Sequence, residues 1–346
     1  MAFKIGVGLF TGQIPPGSAR SVHRDYSDAL ALVEVAEEAG FDSAWVSEHH
    51  GSGDGYLPSL LPLLAAFAAR TKRIELGTGV VLAPFHDPLR LAEDFAVVDQ
   101  ISGGRVICGL GIGWRDEELR AFGIDARSRV RRTTEIVEIL KLAWTGERFD
   151  FHGRHYAYDA VAVTPPPAHP IPIYLGGFVD AAIARAGRIA DGYISSRAQP
   201  ERVATAFRLA SDARREAGRG GRPLAALLQN AFVTEDPERD WAMIAAGIGH
   251  QLGVYAGWRA GTDVPGVPLQ VMPPDDATIR STTAYGTPED VLRALQPLAR
   301  ILGSHPESHL VLRFHYPGMD AAPAAEAIRL FAREVAPRLR RAAAAG

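Results

Sequence analysis

Eight times along this chain, a short apolar run rich in branched residues gives way to a longer stretch whose apolar residues recur at helical spacing. That alternation is the pattern of parallel strands joined by crossover helices. Residues 4–10 read as the first strand. The helix expected over 25–39 has Ala29, Val33 and Ala36 on one face, and Gly40 stops it. Further strands are expected at 43–47, 74–82, 105–112, 172–175, 192–195, 224–233 and 309–314, with helices between them. Residues 149–163 read as a hairpin insertion, and the Pro- and Gly-rich stretch 261–285 as a lid-like loop. No linker-like shift in composition divides the 346 residues, so the expectation is a single domain, a (β/α)8 TIM barrel. A doubly wound open sheet is the rival, but it leaves the near-regular spacing unexplained.

Composition removes several function classes. Lys and Arg total 37 against 40 Asp and Glu, a net charge of -3. No basic excess is present to neutralise a phosphate backbone, so no nucleic-acid partner is expected. Cys108 is the lone cysteine, which rules out an internal disulfide and a cysteine-based metal cluster. The first residues run straight into a strand-like segment without a secretory pattern. No apolar stretch has the length of a membrane span. A cytoplasmic protein with no membrane partner is expected.

In a barrel of this kind, chemistry gathers at the C-terminal ends of the strands. Ser47-Glu48-His49-His50 ends the second strand, and a histidine pair beside a carboxylate suits proton transfer. A zinc site would need three or four ligands. The chain has no His-x-His, and its one His-x-x-x-His, His305 with His309, runs into a strand, so no metal is expected. Gly79 lies inside a strand of branched residues, where glycine is unfavourable; a flat ring against the backbone, a bulge or a close helix would each account for it. Gly109, Gly111 and Gly113 share one face of the fourth strand. They leave a hollow for a ring if that face points inward, or accommodate side chains from neighbouring strands. Gly176-Gly177 precedes a helix, where bare N–H groups make either an anion site or an ordinary tight turn. Phe10, Trp114 and His315 follow strand ends and are candidates for a substrate pocket; Arg127 and Arg131 are candidates to reach an anion.

Taken in order, these segments resemble the bacterial luciferase-like flavin-dependent oxidoreductases. The likeness runs from residue 3 to about 337. It is carried by Gly40-Phe41-Asp42, Ser47-Glu48-His49-His50, Leu76-Gly77-Thr78-Gly79-Val80-Val81 and His86-Asp87-Pro88. Asp99-Gln100-Ile101-Ser102-Gly103-Gly104-Arg105, Pro172-Ile173-Tyr174-Leu175-Gly176-Gly177, Ala190-Asp191-Gly192 and Gly286-Thr287-Pro288 complete it. The resemblance implies a monooxygenase using reduced FMN, delivered by a separate flavin reductase, and oxygen on a small organic substrate. The flavin would lie on the third strand, where Gly79-Val80 matches the position of a non-proline cis peptide, with Gly111 beside it. Its phosphate would rest on Gly176 and Gly177. His50 would stand at the reacting edge as the catalytic residue, with His49 next to it. Some relatives carry a basic residue where this chain has Ile112, and Arg127 or Arg131 is the expected substitute. Other members use the deazaflavin coenzyme F420 as dehydrogenases or reductases, and a flavin-binding barrel without turnover is the reading from another class. A homodimer is implied by resemblance.

Overall fold

Strand alternation explains the architecture of the protein, given by a computed structural model that describes residues 2–196, 199–261 and 271–345. Eight parallel strands form the barrel: β1 (Ala2–Phe10), β2 (Ser43–Val46), β3 (Glu75–Thr78), β4 (Val106–Gly111), β5 (Ile173–Gly176), β6 (Gly192–Ser195), β7 (Leu224–Val233) and β8 (Glu307–Arg313). Each pairs with the next, and β8 returns to β1 with Val7 opposite Leu312. The sheet therefore closes on itself, which eliminates the open-sheet rival. The outer elements include α1 (Val22–Glu38), α2 (Leu60–Arg70), α3 (Pro88–Ser102), α4 (Asp116–Ala121), α5 (Arg129–Ala143), α6 (Asp180–Ile189), α7 (Pro200–Glu216) and α8 (Pro237–Arg259). Local chemistry sets their ends. Asp87 caps α3 by accepting from the N–H groups of Leu89 and Arg90, and Gly103 ends it with φ of 73°.

Outward strand residues pack under the helices as the main core. Inward ones form a second, smaller core of Trp45, Ile107, Tyr174, Ile194, Ala226 and Val311. Its large rings need glycines opposite them. A Cβ on Gly77 would lie 2.5 Å from the Trp45 ring, and one on Gly192 would lie 2.4 Å from Tyr174. Below this layer, at the N-terminal end, His309 Nδ1 lies 3.0 Å from Ser43 Oγ. Glu75, Glu307 and His309 cluster there, and the Lys4 ammonium bonds both carboxylates.

Three details differ from expectation. The third strand is not continuous over 74–82: it breaks after Thr78 and resumes at Val81–Leu82, with Gly79-Val80 cis between the two pieces. A second cis bond, Gly8-Leu9, lies in β1. Residues 262–270 of the expected lid lie outside the described residues, but the rest is not all loop. Asp276–Ser281 is helical, and Thr283–Gly286 is a strand pairing with the end of β7, Asn230 opposite Thr283. The hairpin pairs Phe149–His152 with Ala157–Val161. Among the described residues, no helix is long and apolar enough to cross a membrane.

Candidate active site

Above the inner core, the barrel presents an apolar floor. Leu9, Val80 and Leu228 pack on that core yet remain only partly buried, so their upper surfaces face the C-terminal mouth. Val80 is seated on the inward glycines of its neighbours. A Cβ on Gly111 would lie 2.6 Å from Val80 Cγ2, and one on Gly176 would lie 3.5 Å from Val80 Cγ1. The glycine face of β4 does point inward, but protein atoms fill it: a Cβ on Gly109 would meet the Thr78 carbonyl oxygen at 1.9 Å. The glycines therefore accommodate neighbouring chain, and Val80 is the surface offered to a ligand.

The histidine pair diverges at the end of β2. His49 is buried, its Nδ1 2.9 Å from Glu118 Oε1. Aromatic rings surround it, with centroids at 4.7 Å (Trp258), 4.9 Å (Tyr56), 5.4 Å (Tyr255) and 6.3 Å (Trp114). His50 turns the other way, against Phe85 and Phe122, and its Nε2 lies 2.7 Å from Glu48 Oε1. Glu48 Oε1 also receives His86 Nε2 at 3.2 Å, which ties β2 to the segment beyond the cis bond.

Glu118, on the short helix α4, is the hub of the His49 side. Its Oε1 accepts from His49 Nδ1, from the His50 backbone N–H at 2.7 Å and from Arg115 Nη1 at 3.0 Å. Burial works to raise its carboxyl, but the His49, His50 and Arg115 interactions outweigh that and hold it below the usual carboxylate range. Glu48 behaves alike, with burial outweighed by the bonds from His50 and His86. A carboxylate that stays ionised can only accept, so Glu118 fixes the proton of His49 on Nδ1 and leaves Nε2 as the basic atom.

Helix α8 closes the wall. Arg115 stacks over the Trp258 ring at 4.0 Å, and the Tyr56 and Tyr255 hydroxyls lie 3.2 Å apart. Its glycines permit close approach; a Cβ on Gly247 would lie 2.6 Å from Tyr316 Cβ. His250, also on α8, bonds Asp54 at 2.9 Å and so tethers the helix to the loop after β2. Burial lifts the phenols of Tyr56 and Tyr255, an effect that the charge of nearby Arg313 opposes.

The structure brings Trp114 together with His49 but moves other sequence candidates away. Phe10 faces outward, its ring edge-on to Phe67 of α2 at 5.2 Å. His315 bonds the Met319 carbonyl through Nε2 at 2.9 Å and faces Asp25 of α1. Both line a void of about 10 Å³ beside Gln13 and Tyr26, outside the barrel and only large enough for one water. Arg131 is committed to Glu135 at 2.7 Å, and Glu135 also fixes the hairpin backbone at Arg154 and His155. Arg127 pairs with exposed Asp125. Gly177 has a packing reason, since its Cβ would lie 2.5 Å from Ala182 Cβ, while Gly176 meets only ordinary contacts. Sequence reasoning passed over Glu118, Tyr56, Tyr255, Trp258 and Arg313. For Arg313 a signal exists: it ends the apolar run after His309 in phase with the inward positions.

Comparison with known proteins agrees with this fold. The family model described as luciferase-like monooxygenase matches residues 3–305. An F420-dependent glucose-6-phosphate dehydrogenase of Nakamurella multipartita is 31% identical, covering 91% of this chain and 93% of its own. A protein of the same name from Microbacterium testaceum is 30% identical over 91% and 94%. Among solved structures, the monooxygenase RslO1 from Streptomyces bottropensis superposes with a TM-score of 0.84 at 26% identity, covering 98% of this chain and 99% of that one.

Proposed function

Since the chain belongs to the luciferase-like monooxygenase family, we propose that it is a deazaflavin-dependent oxidoreductase, a dehydrogenase or reductase that works with coenzyme F420 on a small hydroxylated substrate or its carbonyl counterpart. The observation that carries this reading is the pair of F420-dependent relatives, about 30% identical across nine-tenths of the chain. It replaces the reduced-FMN monooxygenase expected from the sequence as the leading assignment.

The residues present fit a flat ring. Leu9, Val80 and Leu228 would supply an apolar floor, and α6 begins after Val179 without a side-chain cap, which would leave N–H groups near Gly176 for a phosphate. When bound, the coenzyme would supply a two-electron hydride donor or acceptor. His49 would take the proton of a substrate hydroxyl at Nε2, or return it to a carbonyl oxygen, because Glu118 holds its Nδ1–H. Glu118, kept ionised, would stabilise the imidazolium as it forms. The wall of Tyr56, Trp114, Tyr255 and Trp258 would exclude water around that proton.

The likeness to the monooxygenase RslO1 favours a second reading, a monooxygenase; as expected from the sequence it would use reduced FMN, and the same histidine would be its proton donor. One experiment separates them. The purified protein is titrated with F420 and with FMN. It is then assayed for loss of oxidised F420 absorbance with glucose 6-phosphate and simple alcohols, and for oxygen uptake with reduced FMN. Tight F420 binding with absorbance loss is expected; FMN binding with oxygen uptake and no response to F420 would overturn the proposal.

A further inference from the structure

We propose that Arg313 anchors an anionic group of the substrate, of the carboxylate type, at the mouth of the barrel. This deepens the functional reading above and rests on it for the word substrate. Along β8, His309, Val311 and Arg313 share the inward phase, and the first two pack with Trp45 at the barrel centre. Arg313 is therefore the last inward residue of its strand, one step above the floor. Its side chain is almost wholly enclosed, the residue being 3% exposed.

Among the described residues the guanidinium has no counter-ion. Neither Nη1 nor Nη2 has a hydrogen-bond partner among the described residues, and no described carboxylate forms an ion pair with it. Arginine does not escape this by losing its proton, since it stays charged in proteins. An enclosed, unpaired cation disfavours the folded state, so its retention calls for an anion that the described residues do not supply. Glu118 takes its three donors, His49, the His50 N–H and Arg115, on Oε1, and neither of its oxygens bonds Arg313.

The surroundings say where that anion would lie. Arg313 is close enough to Tyr56, Tyr255 and Tyr316 for its charge to act on all three phenols. Tyr56 and Tyr255 also touch the His49 ring, so a group held by Arg313 stands beside the proposed base. Tyr316 donates to the Arg313 carbonyl at 2.8 Å and fixes the backbone. Gly176 and Gly177, where the cofactor phosphate is expected, lie at β5, three strands away around the ring. Two unused, coplanar Nη groups match the two oxygens of a carboxylate. The class of substrate implied is a small hydroxy acid or oxo acid.

The test uses the full chain loaded with F420, benzoate and inorganic phosphate as probes, and the variants Arg313→Met and Arg313→Lys. Tryptophan fluorescence, reporting on Trp114 and Trp258, gives the anion Kd; a parallel titration gives the F420 Kd. Benzoate is expected to bind the wild type saturably and more tightly than phosphate. Arg313→Met should weaken benzoate about a hundredfold, with Arg313→Lys between them. It should leave the F420 Kd within about threefold and melt higher than the wild type without anions. Unchanged benzoate binding in Arg313→Met, or a lower melting temperature, would make Arg313 a packing residue and overturn the proposal. A loss of F420 affinity would assign the cation to the cofactor and overturn it also, as would a preference for phosphate. Should the wild type bind no F420, the functional reading fails by itself, and the benzoate titration of the unloaded protein still decides whether Arg313 holds a carboxylate.

Discussion

His49 Nδ1 lies 2.9 Å from Glu118 Oε1, and the two residues come from different βα loops, 69 positions apart. Neither is competent alone: His49 needs the carboxylate to define its tautomer, and Glu118 without its three donors would be a buried, unpaired charge.

From this pairing, His49→Gln should lower kcat by about a hundredfold to ten-thousandfold. Glu118→Gln should cost about tenfold to a hundredfold, because the amide leaves the ring oriented but removes the charge. His50→Ala should have the smaller effect, since its ring faces Phe85 and Phe122 rather than the His49 cage. Steady-state rates with F420 titrated independently check this ordering. A His50 variant slower than the His49 variant would move the chemistry to the Glu48 side.

The glycine ledge yields a graded prediction. Gly109→Ala would drive a methyl into the Thr78 carbonyl and should destabilise the fold by about 3 kcal/mol or more. Gly111→Ala would press on Val80 Cγ2 from 2.6 Å, lift the floor and weaken cofactor binding about tenfold with a smaller loss of stability. Gly176→Ala meets only ordinary contacts and should fold normally, so any loss of cofactor affinity there reports on close approach of the ligand. Thermal melts combined with F420 titrations would expose a wrong order.

How far this site can be read from sequence follows from the same residues. The barrel was legible because alternation and helical spacing are local, and β1 to β8 fall within a few residues of their expected limits. The glycines were visible, but what fills the space of a missing Cβ was not: Val80, Thr78 and Ala182 arrive there by tertiary packing. The divergence of His49 and His50 depends on Glu118 and Glu48 claiming one each, and no spacing rule encodes that choice. Tyr255 and Trp258 sit on α8, about two hundred residues from His49 in sequence, and reach it only because that helix folds over the mouth.

Phe10 and His315 probe where the pocket ends. Phe10→Ala should cost about 3–5 kcal/mol, the usual penalty for emptying a well-packed aromatic site. His315→Gln should leave substrate KM unchanged, because that ring faces Asp25 and the Met319 carbonyl. Urea unfolding of the first and steady-state kinetics of the second are sufficient. A raised KM in His315→Gln would return that residue to the pocket.

At the opposite end of the barrel, His309 should control stability in mild acid. Burial, aided by the charge of Lys4, pushes its imidazole down to about 3. Between its unfolded value near 6.5 and about 3, the unfolded chain binds a proton that the folded chain refuses, so stability falls as pH falls. The slope approaches one proton, about 2 kcal/mol between pH 6.5 and 5. His305 and His315, also lowered first by burial, act in the same direction. Glu48, Glu118 and Asp54 are held low by their histidine partners against burial, so their stabilisation is present above about pH 4 and is lost only below it. Glu75, raised by burial, partly offsets the loss because its folded form takes up a proton first. Gln at position 309 can keep the bond to Ser43 without titrating. His309→Gln should therefore remove one proton's slope from urea-derived stabilities measured between pH 7.5 and 5, and an unaltered slope would place the proton uptake elsewhere.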